Sequence, residues 1–476
     1  MTPATTLATW NDALEQAERI VPIVGQLYRD FGVMVLVHGT RLVNESPVAI
    51  VRAHRRGHTA FGHDVRLAHT REALETVLAL QLAPVTLDVG RLLTARAAQA
   101  PEASVASWIT ERCGDLPRLE GGLPPGRDVV LYGFGRIGRI LARQLVERAG
   151  GGEKYNLRAV VIRGRGPDDL ERRANLLRND SVHGAFDGTV VSLPDEQAWL
   201  INGTKVQVIT ADAPDEVDYT AYGISDAVVI DNTGKWRDRE GLSRHLKAPG
   251  VSRVILTAPG KGDVPNIVHG INDADLSADE RVVSAASCTT NAIVPVLKAV
   301  HDRYGIVSGH IETVHAYTND QNLLDNYHKA NRRGRSAPLN LVITDTGAAK
   351  AAAKALPFLE GRLTANAIRV PTPNVSLAIL HLRVDKPVDR EGLNAFLYET
   401  AVASPLQEQI GWTSNPDTVS SDLVGSMHAG VVDGAATIAH DDEAVLYVWY
   451  DNEHGYCAQV MRLLGHVAGR VRPAFP

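Results

Sequence analysis

The stretch VVLYGFGRIGRILARQL, residues 129–145, constrains the fold more than any other. An apolar run enters a turn carrying Gly133, Gly135 and Gly138 in G-x-G-x-x-G spacing. A helical pattern follows, with Ile137, Ile140, Leu141 and Leu145 on one face. Glycine triplets alone are common. Placed between a strand and a helix, the triplet reads as the first corner of a doubly wound parallel sheet. Gly133 allows the tight turn, Gly135 lets the backbone approach a phosphate, and Gly138 lets helix and strand pack closely. Free N–H groups and the helix dipole favour an anion there, so the corner predicts dinucleotide binding.

The rest of the chain extends that reading. DVVLY (128–132), LRAVVI (157–162), AVVIDNT (227–233) and SRVILTAP (252–259) are short apolar strands alternating with helical segments, as in a parallel sheet covered on both faces. From about Gly309, HIETVHAY, NVSLAILHLRV and AVLYVWYD alternate apolar and polar residues, the pattern of antiparallel strands buried on one side. Residues 1–124 read as mainly helical. Trp10, Leu14, Ala17 and Val21 mark one helical face, and Pro22 should kink or divide that helix. Thr70 is expected to cap TREALETVLALQL (70–82), and PEASVASWITERCGD adds one more helix. GGLPPGRD (121–128) is the linker candidate. The fold class is therefore α/β. A helical extension (1–124) precedes a Rossmann domain (125–288, completed by a C-terminal helix over 458–476). A catalytic α+β domain with a mostly antiparallel sheet spans 289–457.

A net charge of -6 gives no general electrostatic reason to bind nucleic acid or an acidic membrane. Three cysteines (Cys113, Cys288, Cys457) cannot build a disulfide framework, which suits a reducing compartment. No basic stretch followed by an apolar core opens the chain, and no 18-residue apolar run occurs. A cytoplasmic location is the resulting expectation.

One cysteine stands apart. In SAASCTTN (284–291), Cys288 lies among small polar residues just before an apolar helical run. A helix start lowers a thiol's pKa, and Ser287 or Thr289 is available to cap it. Pro295 warns of a bent helix. A nucleophilic thiol needs a base within hydrogen-bond reach. Among 17 histidines, His315 is the best placed, because polar Thr318 and Asp320 follow it. On the cofactor side, the second strand ends in Arg163, Gly164 and Arg165, with no carboxylate before Asp168. Two arginines without an acidic residue favour a ribose 2′-phosphate, hence NADP over NAD. NAD stays open, since Asp168 or Asp169 could fold back to the ribose and the arginines could face solvent.

Together, GFGRIGR, NDSVHGAFDG, ASCTTN, TVHAYTNDQ, TGAAKA, RVPTPNVS and WYDNEHGY stand in order across residues 127–476. This set resembles the phosphorylating glyceraldehyde-3-phosphate dehydrogenases, in their longer subgroup with an N-terminal extension. The resemblance implies that Cys288 forms a hemithioacetal with the aldehyde of a triose phosphate. It implies that His315 serves as base and that inorganic phosphate releases the acyl group. Asn452 is then the residue at the nicotinamide carboxamide, and Arg136, Ile137 and Thr233 also belong to the dinucleotide site. Ser287, Thr289, Thr318, Asp320, Arg333, Thr346, Gly347 and Arg369 match two anion pockets. Arginine's fork of donors suits phosphate, and no motif asks for a metal. A homotetramer is implied as well.

Two departures bear on function: the extension, which carries no chemical motif, and the missing acidic ribose residue. Family members lacking the latter tend to use NADP and to run in the gluconeogenic direction. The rival within enzymes is erythrose-4-phosphate dehydrogenase, whose reaction ends with water and needs no second phosphate pocket. Rivals of another class are a regulatory protein on a dehydrogenase scaffold and a thiol redox sensor.

Overall fold

The computed structural model describes residues 3–61, 65–123, 125–148, 155–164, 166, 168–470 and 473–475. Two compact units emerge: Met1–Gly126 with Arg148–Lys154 and Arg470–Pro476, and Arg127–Glu147 with Tyr155–Gly469.

In the first unit, α1 (Pro3–Phe31), α2 (Pro47–Phe61), α3 (Leu67–Leu80), α4 (Val89–Gln99) and α5 (Val105–Cys113) surround a small sheet. Its strands are β1 (Met34–Val37), β2 (Thr40–Arg41) and β3 (Thr86–Asp88), in the order β2-β1-β3, with Ala474–Phe475 alongside β3. Three expectations change here. The sheet was not foreseen, because MVLV is buried at all four positions and shows no alternation. Pro22 does not divide α1. It sits on the exposed face, opposite a buried stripe of Ala17, Ile20, Val24 and Leu27, while Val21 is solvent-exposed. Thr70 is not a cap. The helix starts at Leu67, and the buried Thr70 hydroxyl meets His54 Nε2 at 2.8 Å.

The second unit opens with β4 (Arg127–Tyr132), α6 (Arg136–Arg148), β5 (Tyr155–Ile162) and α7 (Asp169–Arg178). A hairpin, β6 (Asn179–Asp180) with β7 (Gly184–Ala185), precedes β8 (Val190–Leu193), β9 (Ala198–Ile201) and β10 (Thr204–Thr210). β11 (Ala227–Asp231), α8 (Arg239–Ser243), β12 (Val251–Leu256) and β13 (Val282–Ser284) complete an eight-stranded sheet, ordered β13-β12-β11-β4-β5-β10-β9-β8. Its first six strands pair in parallel and the last two antiparallel. Strand order reverses around β4, which puts a crevice at the carboxyl ends of β4 and β11, the usual ligand position in such sheets.

The second half of this unit begins with α9 (Cys288–Tyr304) and β14 (Ile306–Ala316). Then come β15 (Val342–Asp345), α10 (Ala348–Ala355), β16 (Leu363–Val370), β17 (Ser376–Val384) and α11 (Arg390–Ala403). β18 (Ile410–Thr413), β19 (Gly430–Asp433), β20 (Ile438–His440) and β21 (Glu443–Tyr450) finish the sheet. Its order is β15-β16-β14-β17-β21-β19-β18; β14 with β16 and β18 with β19 are parallel, the other pairings antiparallel. α9 continues through Pro295 and buries Ile293, Val296, Leu297 and Val300 against Ile311, Leu380, Leu446 and Val448. Each such side chain contributes about 1.5–3 kcal/mol by leaving water.

α12 (His454–Val467) returns to the Rossmann half, where Tyr456, Val460, Met461 and Leu464 join Ile140, Leu141 and Leu145 of α6 in one core. The closing helix was expected over 458–476. It starts four residues earlier and stops where Gly469, at φ +63, turns the chain away.

Candidate active site

Cys288 is the first residue of α9. Ser287 is the N-cap, its Oγ accepting from Thr290 N at 3.0 Å, so the thiol stands at the positive end of a 17-residue helix. Two residues earlier Ala286 adopts φ +54, a conformation costly for a side chain with a Cβ. Ser284 Oγ accepts from its N–H at 3.0 Å, and Tyr456 OH donates to its carbonyl at 3.2 Å. The bend is thus held from both sides.

His315 lies on β14 with Nε2 3.5 Å from Cys288 Sγ. Sheet register sets Arg369 of β16 opposite His315. Ala316 O accepts from His315 Nδ1 at 2.7 Å and from Arg369 Nη1 at 3.0 Å, while that Nη1 lies 2.7 Å from Nδ1. In the tautomer that sets Nδ1–H on the carbonyl, rather than Nδ1 accepting from Arg369 Nη1, Nε2 presents its lone pair to sulfur. Burial, then the Arg369 cation, pushes the imidazole down to about 3. Burial pushes the Cys288 thiol up; Arg369 and the Thr289 hydroxyl and N–H pull against it. Both shifts favour the neutral thiol and the neutral imidazole.

Of the expected anion ligands, Arg369 is half-buried, and its buried Nε has no hydrogen-bond partner. An unmatched buried guanidinium donor beside the thiol suits an anionic ligand. Arg333 pairs with Asp320 and donates from Nε to Thr344 Oγ1 at 3.2 Å. Burial would raise Asp320, but Arg333, His328 and Arg369 hold it below the usual carboxylate range. Gly347 precedes α10, with open space where a Cβ would stand, and Thr346 Oγ1 accepts from Ala348 N at 3.3 Å. Thr318 follows β14 in the same loop as Asp320. Two expected ligands have other work: Ser287 Oγ caps α9, and Thr289 Oγ1 meets Tyr450 OH at 2.9 Å.

On the dinucleotide side, Gly133 has φ +97, and a Cβ there would come within 2.9 Å of Thr233 Cγ2. A Cβ on Gly138 would stand 2.4 Å from Gly133 O. At Gly135 nothing lies within 4 Å, leaving a free approach at the start of α6. That is the space a pyrophosphate needs, and the residues present fit the cofactor. Thr233 is fixed by Asp231 Oδ1, which accepts from its N and Oγ1, both at 2.7 Å. Asn452 Oδ1 accepts from Ser376 Oγ at 2.8 Å. Arg136 departs from expectation, since its guanidinium turns to Glu453 and Asp180. Ile137 packs against the Rossmann core. Arg163 is exposed just past β5, and Arg165 lies outside the described residues. Asp168 is exposed and pairs with Arg172 at 3.4 Å.

The sequence reading missed Tyr450 and Ser376. Tyr450 OH bridges Thr289 and Thr313 Oγ1 (2.7 Å) behind the thiol, and Ser376 Oγ also accepts from Ala316 N at 3.1 Å. Both lie inside motifs already picked out, WYDNEHGY and RVPTPNVS. Their place in the sheet, with Ser376 registered opposite Tyr450, was the missing information.

Two family models match this half of the chain: the glyceraldehyde 3-phosphate dehydrogenase NAD binding domain at residues 127–239, and its C-terminal domain at residues 287–452. A glyceraldehyde-3-phosphate dehydrogenase-like protein of Pseudomonas aeruginosa is 54% identical over 460 residues, covering 96% of this chain and 100% of the relative. The chain belongs to the glyceraldehyde-3-phosphate dehydrogenase family. Glyceraldehyde-3-phosphate dehydrogenase 2 of Bacillus subtilis is 37% identical over 346 residues, 72% of this chain and 97% of the relative. A chloroplastic glyceraldehyde-3-phosphate dehydrogenase of Arabidopsis thaliana is 38% identical over 367 residues, 77% and 90% of the two chains. The Pseudomonas match therefore extends through the N-terminal unit, which this family member shares with that relative. As a member of this family the protein is an oxidoreductase with an NAD-binding domain. Among the described residues, no helix is long and apolar enough to cross a membrane, and no group of His, Cys, Asp and Glu could hold a metal ion.

Proposed function

We propose that this protein is a phosphorylating glyceraldehyde-3-phosphate dehydrogenase, preferring NADP(H) and running in the gluconeogenic direction. The observation that carries the reaction is one constellation: Cys288 Sγ 3.5 Å from His315 Nε2, with the partnerless Nε of Arg369 beside them. His315 Nε2 takes the thiol proton as Sγ bonds to the aldehyde carbon, and passes it to the carbonyl oxygen, giving a hemithioacetal. It takes the hydroxyl proton again as the C–H bond breaks, leaving a thioacyl Cys288. The nicotinamide, when bound, accepts that hydride. Arg369, Arg333, Thr346 and the Gly347 N–H hold the substrate phosphate and the attacking phosphate. Phosphate oxygen bonds to the acyl carbon, the C–S bond breaks, and the thiolate leaves.

Retention of both arginines favours this reading over erythrose-4-phosphate oxidation, which ends with water. Exposed Arg163 after β5, with no carboxylate before Asp168, favours a 2′-phosphate. The test is a steady-state assay with glyceraldehyde 3-phosphate, inorganic phosphate, and NADP or NAD. Phosphate-dependent turnover faster with NADP is expected. Cys288→Ser should abolish it, and His315→Asn should slow acylation by roughly 10²–10⁴-fold. Near-normal turnover in either variant would defeat the assignment. A strong NAD preference would defeat the cofactor reading alone, and inactivity of the wild type would shift weight to the rival functions.

A further inference from the structure

Arg136 is the first residue of α6, directly after the open Gly135, yet its side chain leaves the dinucleotide crevice. It forms a fork on Glu453: Nε to Oε1 at 2.8 Å and Nη2 to Oε2 at 2.5 Å. Its third nitrogen, Nη1, reaches Asp180 Oδ2 at 2.6 Å. Asp180 Oδ1 meanwhile accepts from Val182 N and His183 N at 2.9 and 3.0 Å, and His183 Nε2 meets Glu453 Oε2 at 2.9 Å. Arg139 stands 3.7 Å from Asp180, so two cations face two carboxylates and the cluster is balanced. Asp180 and Glu453 side chains are only 7% and 13% exposed, so little water competes for these bonds.

The placement of the two ends matters. Glu453 immediately follows Asn452 in the turn between β21 and α12. Asp451 Oδ1 shapes that turn by accepting from Glu453 N and His454 N at 2.9 and 2.7 Å. Arg136 therefore ties the residue after the pyrophosphate glycine to the residue after the nicotinamide asparagine. These positions are 317 apart in sequence. α6 also meets the start of α12 through neutral bonds, Gln144 Nε2 to His454 O at 3.2 Å and Cys457 Sγ to Ile137 O at 3.7 Å.

We infer that Arg136, Asp180 and Glu453 are positioning residues. They hold the two ends of the dinucleotide site in one geometry, so that a ligand seated on the glycine loop finds Asn452 at the right distance for its nicotinamide. The inference rests on the reading of this crevice as a dinucleotide site. It predicts a selective loss. Removing the charge on Glu453 leaves the glycine loop in place and loosens the nicotinamide end.

The experiment is calorimetric titration of the full chain with two matched pairs: NAD with ADP-ribose, and NADP with 2′-phospho-ADP-ribose. In the wild type each dinucleotide should bind more tightly than its truncated partner. In Glu453→Gln that ratio should fall roughly tenfold, within the usual range for coupling between two sites, while the truncated ligands bind as before. Asp180→Asn keeps the Oδ1 acceptor for Val182 and His183, and should show a smaller loss in the same direction. Equal weakening of truncated and complete ligands, or an unchanged ratio, would mean that the cluster is merely structural and would overturn the inference. Tight wild-type binding with an unchanged ratio refutes the positioning role alone. Failure of the wild type to bind either pair refutes the dinucleotide site itself and the positioning role with it.

Discussion

At the scale of single residues, the proposed reaction depends on a lone pair. His315 can accept a proton only while Nε2 is bare, and burial beside Arg369 keeps the ring neutral, down to about 3. The unfolded imidazole titrates near its ordinary value of 6.5. Between those limits the unfolded chain binds the extra proton, so stability contributed by the neutral ring is present above 6.5 and is lost as pH falls toward 3. The check is the urea midpoint at about pH 7 and about pH 5. His315→Asn has no ring to protonate and should lose less of its midpoint over that interval than the wild type. An equal or larger loss in the variant would show that His315 is not held neutral. The same residue shows what sequence could offer. Polar neighbours singled out His315, but Arg369, 54 positions away, meets it only through the parallel register of β14 and β16.

At the scale of elements, α9 matters most, because its first residue is the proposed nucleophile and its cap fixes where that residue stands. Ser287 Oγ satisfies one of the helix's free N–H groups, and losing such a cap costs about 1 kcal/mol. Ser287→Ala should lower stability by about that much in chemical denaturation, and Ser287→Asp, which can still cap, should recover most of it. No loss on removing the hydroxyl would mean that the helix start is held by packing alone. The long strands of both sheets were legible because burial alternates or runs unbroken between turn residues. The first unit was less so. MVLV is short and buried throughout, and Ala474–Phe475 arrives from the other end of the chain. The phase of α1 was misjudged because the apolar positions before Pro22 fit two adjacent faces, and only burial of Ile20 and Val24 chooses between them. Thr70 resembled a cap because the interior bond to His54 has no local signature.

At the scale of the whole molecule, the loop after β14 together with β15 poses a solvation problem. Leu323, Leu324, Tyr327, Leu339, Leu341 and Ile343 are each more than half exposed within 21 positions. The loop is not slack, since Asn326 N donates to Gly334 O at 2.9 Å and Ala337 N to Asn322 O at 2.9 Å. A pinned loop cannot fold its own leucines inward, and an exposed apolar surface of this kind marks an interaction site. A second copy of the chain is the proposed cover, as the homotetramer implied by the resemblance would supply. Arg333 lies on this loop and pairs with Asp320, so assembly would also steady an anion ligand. The wild type should sediment as an assembly of 51.3 kDa chains. Leu324→Asp combined with Leu341→Asp puts charge into the apolar surface and should shift the protein to smaller species. The KM for phosphate should rise in the dissociated form while Cys288 stays reactive toward iodoacetamide, because the thiol, His315 and Arg369 sit on elements outside the loop. A wild type that sediments as a monomer at micromolar concentration would remove the self-association argument. A dissociated variant with unchanged KM would keep the interface and sever it from the anion site.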